Sequence, residues 1–266
     1  MRTIAITNQK GGCGKTTTAV NLAAVFALRG VRTLIVDLDP QAHATIAFGV
    51  DPERIVSGIY DTLVNKSTPI SDTIISGNLS GLDISPANGL LSRAEPEPTF
   101  CVGLEYVLGQ RLAQVKNDYD ICILDCSPSL SLLTVNALTA ADEVIIPVQT
   151  HYYALEGLKQ LLRTISIVTA RTNPQLCILG VVLTLVESRT LLSRDIEQQL
   201  RDYFGDIIFK TVIHRNVTLA EAPSAGESVI TYNPKSRGAL EYMGLAEEVF
   251  KYESKSRITK ESLVNI

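Results

Sequence analysis

A glycine-rich segment near the amino terminus contains the residue types that bind nucleotide phosphates. It lies between a short β-prone run, Thr3–Asn8, and a stretch with apolar residues at helical spacing, Thr16–Leu28. In a strand–loop–helix unit, backbone N–H groups and the helix amino terminus form a concave site for phosphate. We expect Lys15 to reach the β and γ oxygens of ATP and the Thr16 hydroxyl to bind Mg²⁺. The residues assigned to the nucleotide in this loop are Lys10, Gly11, Gly12, Cys13, Gly14, Lys15, Thr16 and Thr17.

The loop is a variant of the ordinary phosphate-binding motif. The ordinary pattern begins with glycine at position 9, where this chain has Gln9, and an additional lysine, Lys10, opens the loop. Strand, spacing, the Gly-Lys-Thr triplet and helix nonetheless agree, which favours a phosphate site over an incidental glycine-rich turn. We predict that Lys10 and Lys15 both act in ATP hydrolysis.

Acidic residues at two strand ends should complete the site. A continuous apolar run, Val31–Val36, ends in a segment that contains Asp37 and Asp39, and Asp125 directly follows a second run, Ile121–Leu124. The carboxyl ends of parallel strands lie along one edge of a sheet, so these carboxylates should converge near the loop. We predict that Asp125 binds Mg²⁺ through a water, and that Asp39 contributes to the metal site and orients the attacking water. Asp37 is also consistent with capping a helix or turn.

Strands and helices alternate along the rest of the chain, which predicts an α/β fold of the P-loop NTPase type, with a mostly parallel sheet and helices on both faces. We predict one ATPase domain over residues 1–250 and a polar, frayed tail over residues 251–266. Two irregular segments, Asp51–Gly81 and Glu95–Phe100, are interpreted as surface excursions. The further strand candidates are Leu82–Ser85, Glu143–Val148, Ile178–Leu185 and Ile207–Val212. The further helix candidates are Val102–Lys116, Leu132–Ala140, Ala154–Arg171, Leu192–Tyr203 and Gly238–Tyr252.

Composition limits the classes of protein to consider. A formal net charge of −4 excludes general attraction to nucleic acid, so DNA binding would need a local cluster of Lys and Arg. No stretch approaches the roughly 20 apolar residues that span a bilayer, and the chain enters a strand too early for a secretory signal. The five cysteines form no CxxC pair, which is typical of a reducing compartment. We therefore expect a cytoplasmic protein without a membrane partner.

Several motifs together resemble a known family. They are KGGxGKTTT at the phosphate loop, DLDPQ at Asp37–Gln41, ILDCSPSL at Ile123–Leu130 and RNVTLAEAPSAG at Arg215–Gly226. The chain is similar to the ParA/Soj branch of the ParA/MinD ATPases, which position DNA and other cargo inside bacteria. The similarity extends over nearly the whole chain, from Thr3 to Phe250.

This resemblance implies a homodimer that sandwiches ATP. Lys10 is the family's signature lysine and would reach the ATP of the other subunit, so that ATP and the dimer stabilise each other. Gly12 would lie where the two loops approach closely. Asn216, in the RNVTLAEAPSAG segment, is also assigned to the nucleotide.

The resemblance also implies non-specific DNA binding in the ATP state, association with the nucleoid, and hydrolysis stimulated by a ParB-like or adaptor protein. Thr218 stands where a second arginine is expected, and His214 stands where proline is usual; fewer phosphate contacts would weaken binding and make it more sensitive to salt. Ser127 and His151 are further departures from the family pattern. The residues assigned to DNA are Arg189, Arg194, Arg215, Lys235 and Arg237.

Three alternatives stay open at this point. The cargo could be a carboxysome or another protein body instead of DNA. An ATP-driven reductase like the nitrogenase iron protein would use cysteines such as Cys101 and Cys126 to hold an iron–sulfur cluster, although neither has suitable glycine-rich flanks. A protein with an inactive site is disfavoured because Lys15, Thr16, Asp39 and Asp125 are all present. Slow turnover is expected, since no arginine finger is evident in the sequence.

Overall fold

The computed structural model describes residues 1–65, 67–94, 103–151, 154–187 and 191–251, without the side chains of residues 154–156, 191 and 192. The strands are β1 Arg2–Ile6, β2 Thr33–Leu38, β3 Ile75–Ser76, β4 Leu82–Ser85, β5 Ile121–Cys126, β6 Glu143–Gln149 and β7 Cys177–Thr184. The helices are α1 Lys15–Leu28, α2 His43–Ala47, α3 Ile59–Val64, α4 Val107–Leu112, α5 Leu132–Ala140, α6 Ala154–Arg171, α7 Leu191–Phe204, α8 Val217–Glu221, α9 Val229–Tyr232 and α10 Arg237–Lys251.

These strands form one sheet in the order β3-β4-β2-β5-β1-β6-β7. All neighbouring strands are parallel except β3, which runs antiparallel to β4 at the edge. Every residue of β2, β5 and β7 is buried, as expected for parallel strands covered by helices on both faces. The predicted fold class is therefore confirmed.

The alternation of side chains along each strand divides the core into two layers. On β2, Leu34 and Val36 face the layer beneath α3, α4, α5, α6 and α7, whereas Ile35 faces the layer beneath α1, α2, α9 and α10. Helix α1 is buried along almost its entire length because the sheet and three other helices surround it. This central position fixes the phosphate loop at the carboxyl ends of β1 and β5.

One predicted strand is wrong. Residues 207–212 form no strand in the structure, although the segment runs beside β7 and makes one isolated bridge to it, between Ile208 and Val181. The backbone N–H groups of Lys210 and Thr211 donate to the carboxylate of Glu248 on α10, at 2.8 and 2.7 Å. Because a helix side chain takes these donors, the segment cannot continue a regular ladder with β7.

Two further predictions need correction. The helix predicted over Val102–Lys116 is a 3₁₀ turn at Leu104–Tyr106 followed by the short α4. The segment Asp51–Gly81 is not only a surface excursion, because it includes α3, two 3₁₀ turns and β3, and Ile59 and Ile70 within it are completely buried. Residues 95–100 and 252–266 lie outside the described ranges, so the predictions made for them are not tested. Among the described helices, none is long and apolar enough to cross a bilayer.

Candidate nucleotide site

The phosphate loop owes its shape to two glycines with left-handed backbone. Gly12 has φ of 70° and Gly14 has φ of 87°, values that other residues rarely adopt. Gly14 is the residue before α1, and its carbonyl accepts the N–H of Thr18 at 2.9 Å as the first bond of the helix. The Lys15 side chain is 6% exposed, and its ammonium donates to the carbonyl of Lys10 at 3.0 Å. The Lys15 side chain thus crosses the inner side of the loop and contacts its first residue.

The last residue of β7 holds the other side of the loop. The hydroxyl of Thr184 donates to the carbonyl of Cys13 at 2.7 Å, and both residues are buried. A Cβ placed on Gly14 would lie 3.6 Å from the Thr184 methyl, so strand and loop are in direct contact. Burial raises the pKa of the Cys13 thiol, and the nearby Lys15 ammonium opposes that effect only in part. Cys13 therefore contributes its backbone to the loop, and its side chain belongs to the core.

Asp37 and Asp125 lie at directly opposite register positions on β2 and β5. Both are fully buried, but their surroundings differ. Asp37 accepts the N–H of Asp39 at 3.1 Å, and the N–H and hydroxyl of Thr45 at 2.9 and 2.7 Å. Burial raises the pKa of Asp37 to about 6, although the Thr45 hydrogen bonds act in the opposite direction. Asp37 therefore ties β2 to α2, which is the capping role that the sequence left open.

Asp125 has the environment of a metal ligand. Among the described residues, neither of its carboxylate oxygens has a hydrogen-bond partner with suitable geometry, although both are inaccessible to solvent. Burial raises the pKa of Asp125 well above its usual range and Asp37 reinforces this, whereas the nearby Thr16 hydroxyl lowers it. A buried carboxylate without a partner is costly unless a cation or donor joins it. These residues therefore fit a divalent cation.

The donors available here suit Mg²⁺ in particular. In the described part of the chain, no three His, Cys, Asp or Glu side chains are grouped closely enough to hold a metal by themselves. Mg²⁺ is usually bound by one or two carboxylates together with phosphate oxygens and waters. Asp125 and Thr16 would supply the protein ligands of such a site. Asp39 lies nearby, is 7% exposed, and accepts the N–H of Gln41 at 3.0 Å.

A cavity of about 490 Å³ opens above the loop and α1. One end is polar and includes Lys15, Thr16 and Asp39; the other end is apolar and is walled by α2 on one side and by residues 219–229 on the other. Behind these two walls, Gly226 contacts Gly49, since a Cβ on Gly226 would lie 2.8 Å from the Cα of Gly49. The residues predicted for the nucleotide or metal that line the cavity are Gly11, Gly12, Gly14, Lys15, Thr16, Thr17 and Asp39.

The other predicted residues have different positions. The cavity wall does not include Lys10, Cys13 or Asp125. Asp125 lies beneath the cavity, on β5 of the sheet. Asn216 caps α8, with its side-chain oxygen accepting the N–H and hydroxyl of Thr218 at 3.0 and 2.6 Å. The assignment of Asn216 to the nucleotide stays a prediction, as do the roles of the loop residues.

Acidic residues accompany two of the described residues that are predicted to bind DNA. Arg215 is 75% exposed and pairs with Glu187 at 2.8 Å, and Arg237 is 60% exposed and pairs with Glu241 at 2.7 Å. Glu241 also accepts from the ring and the N–H of His214. Arg194 and Lys235 are exposed. Arg189 lies outside the described residues.

Sequence reasoning missed three residues that shape the site. Thr184 supports the loop, and Asn21 connects α1 to α9 by accepting the N–H of Val229 at 2.8 Å. Leu185 lines the cavity with φ of 52°, which is unusual for a residue with a side chain. No local pattern identifies these residues, because each contact joins segments distant in the chain. Two further residues depart from the family pattern. Ser127 is buried, and its hydroxyl forms a hydrogen bond with the Ser129 hydroxyl at 2.9 Å, whereas His151 is exposed.

Comparisons with known proteins agree with this geometry. A family model described as an AAA domain matches residues 1–178. The sporulation initiation inhibitor protein Soj of Bacillus subtilis (strain 168) is 50% identical over 246 residues, covering 92% of this chain and 97% of that protein. The chromosome-partitioning ATPase Soj of Thermus thermophilus is 47% identical over 249 residues, covering 94% of this chain and 95% of that protein.

A solved structure is similar over the same extent. The cobyrinic acid a,c-diamide synthase of Mycobacterium smegmatis, with bound ATP analogue and magnesium, is 35% identical and superimposes with a TM-score of 0.84 over 97% of this chain and 98% of that one. Fold, phosphate loop and sequence identity over most of the chain lead to the same conclusion. The chain belongs to the ParA/Soj branch of the ParA/MinD family of P-loop ATPases.

Proposed function

We propose that this protein is a positioning ATPase that dimerises around ATP and Mg²⁺, binds DNA without sequence preference in that state, and releases it after hydrolysis. The observation that carries the proposal is the position of Asp125. Its unpartnered carboxylate lies beneath the phosphate loop, at the register position beside the end of β1. Such a carboxylate beside Thr16 is what a nucleotide-bound Mg²⁺ requires.

The two ends of the cavity suit the two ends of ATP. At the polar end, Lys15 and the N–H groups of the loop would bind phosphate oxygens, and Thr16 and Asp125 would hold Mg²⁺. When bound, Mg²⁺ neutralises charge on the phosphates. The apolar end, between Val20, Ile46 and Val229, provides a surface for the flat base. The magnesium and ATP analogue in the Mycobacterium smegmatis structure support this choice of cofactors.

Hydrolysis by the isolated chain should be slow. Asp39 lies at the polar end of the cavity, where it would orient a water against the γ-phosphate. No arginine is among the described residues that line the cavity, so nothing there supplies a mobile positive charge to the transition state. A partner protein that completes the site would therefore accelerate turnover.

A second copy of the chain provides a role for Lys10. The Lys10 ammonium has no ion pair among the described residues, and it does not line the cavity of its own chain. Gly11 and Gly12 beside it are exposed, with open space where a Cβ would be. These features support an interface in which Lys10 binds the phosphates of the partner's ATP.

The test compares Lys10→Ala with Lys116→Ala, an exposed lysine at the amino-terminal edge of the sheet. Molecular mass would be followed by light scattering, and binding to non-specific double-stranded DNA by fluorescence anisotropy, each with ADP and with ATP. We expect wild type and Lys116→Ala to dimerise and bind DNA only with ATP. Lys10→Ala should bind ATP as a monomer and lose DNA. Dimerisation of Lys10→Ala like wild type, or a wild-type dimer without DNA affinity at any salt, would contradict the corresponding part of the proposal.

A further inference from the structure

The two arginines of the predicted DNA surface that have described ion pairs differ in the exposure of their carboxylate partners. Glu241, the partner of Arg237, is 14% exposed and also accepts the His214 ring and the His214 N–H, at 2.7 and 2.8 Å. This carboxylate is anchored and cannot leave without breaking three contacts. Glu187, the partner of Arg215, is 47% exposed.

The Arg215–Glu187 pair is held in place by the backbone. Val186 forms a bridge with His214, and the N–H of Arg215 donates to the Val186 carbonyl at 3.3 Å. The N–H of Glu187 donates to the Ser193 hydroxyl at 3.4 Å, which connects this segment to the first turn of α7. Neighbouring backbone positions therefore keep the two charged side chains within reach of each other.

We infer that Glu187 acts as an internal competitor for the phosphate groups that Arg215 would bind, and so lowers the affinity of this surface for DNA. A DNA phosphate offers Arg215 the same chemistry as the carboxylate and would have to displace it. Glu187 also repels an approaching phosphate. This regulation rests on the proposed DNA-binding function.

An exposed ion pair contributes little to the stability of the folded protein. The Arg215–Glu187 pair can therefore be lost without unfolding, and a DNA phosphate can displace Glu187 from Arg215. Its effect on DNA binding is nevertheless measurable, because each arginine engaged with phosphate releases counterions. With Glu187→Gln, Arg215 is available to DNA from the start. The affinity should therefore rise most at low salt.

The experiment measures DNA affinity of the full chain with ATP between about 50 and 200 mM salt. Glu187→Gln should bind DNA about two- to fivefold more tightly at the lowest salt, the range expected for an exposed ion pair. The control is Glu247→Gln, which removes the same charge from an Arg29 pair of similar exposure, 35% and 50%, at the opposite edge of the sheet. It should bind DNA like wild type.

A double-mutant cycle separates this inference from a general charge effect. In an Arg215→Gln background, Glu187→Gln should no longer increase affinity, because the residue through which it acts is absent. An equal gain from Glu187→Gln and Glu247→Gln, or a gain that persists without Arg215, would overturn the inference. Wild type that binds DNA while Glu187→Gln binds no better refutes the inference alone. If neither protein binds DNA at the lowest salt, both the inference and the proposed function fail.

Discussion

Asp37 on β2 faces Asp125 on β5 at the same level of the sheet, and only Asp37 is satisfied by hydrogen bonds. Two buried carboxylates side by side are unfavourable in a protein without its cation. The arrangement is understandable if the carboxylate of Asp37 stabilises the fold and the carboxylate of Asp125 binds a metal ion.

The first prediction concerns Asp125→Asn. The substitution removes a carboxyl group whose ionisation is disfavoured by burial and by Asp37, so the nucleotide-free protein should become more stable at neutral pH, by about 1–3 kcal/mol. ATP hydrolysis should fall by about a hundredfold or more, because a metal ligand is lost. Urea unfolding and phosphate release would measure the two effects. Asp37→Asn is the matched control and should gain less stability, because Asp37 already accepts hydrogen bonds from Asp39 and Thr45 that an amide keeps only in part; a destabilised Asp125→Asn would count against a metal-ligand role.

The second prediction concerns pH. The pKa of Asp37 is raised from 3.8 to about 6, so the folded protein holds this proton more tightly than the unfolded chain does. The contribution of Asp37 to the free energy of unfolding is therefore greatest below about pH 4 and is lost as pH rises from there through about 6. Compared with Asp37→Asn, nucleotide-free wild type should gain stability as pH falls from 7 to 5. Thermal unfolding in a pH series would test this, and an unchanged difference between the two proteins would argue against it.

The third prediction concerns the contact between β7 and the loop. Thr184→Val keeps the shape of the side chain but leaves the Cys13 carbonyl without its donor, which should weaken ATP binding about three- to tenfold. Thr184→Ser retains the hydroxyl and should restore most of the affinity. Thr62→Val removes an equally buried hydroxyl, which donates to the Thr68 carbonyl at 2.8 Å, far from the site. It should lose stability but not ATP affinity, as judged by titration with a fluorescent ATP analogue.

The fourth prediction concerns the contact between Gly49 and Gly226. Gly226→Ala combines a left-handed backbone, φ of 69°, with a clash against Gly49. Gly205 has φ of 56° but open space around it, so Gly205→Ala should cost only the backbone strain of about 1–2 kcal/mol. Gly226→Ala should cost about 1–3 kcal/mol more, the range for overpacking. Equal losses in urea unfolding would mean that the Gly49–Gly226 contact is not tight.

Local patterns in the sequence predict much of this architecture. The glycine-rich loop, the buried runs at β2 and β5, and the helices α5 and α6 are predicted at or near their observed bounds, since periodicity and turn residues act over short distances. The segment 207–212 has the composition of a strand, yet Glu248 of α10 takes its N–H donors. Ile59 and Ile70 are buried in a stretch whose polar composition indicates surface.

By itself, the sequence determined the fold class, the phosphate loop and the identity of the acidic residues at the strand ends, because each is encoded by neighbours in the chain. The tertiary structure decided which carboxylate serves which purpose. Thr45 reaches Asp37, whereas no described donor with suitable geometry reaches Asp125, and this difference arises from the packing of α2 against the sheet. The tertiary structure also placed Thr184 against the phosphate loop and Glu187 beside Arg215. Such contacts join residues far apart in sequence, and only the packed sheet brings them together.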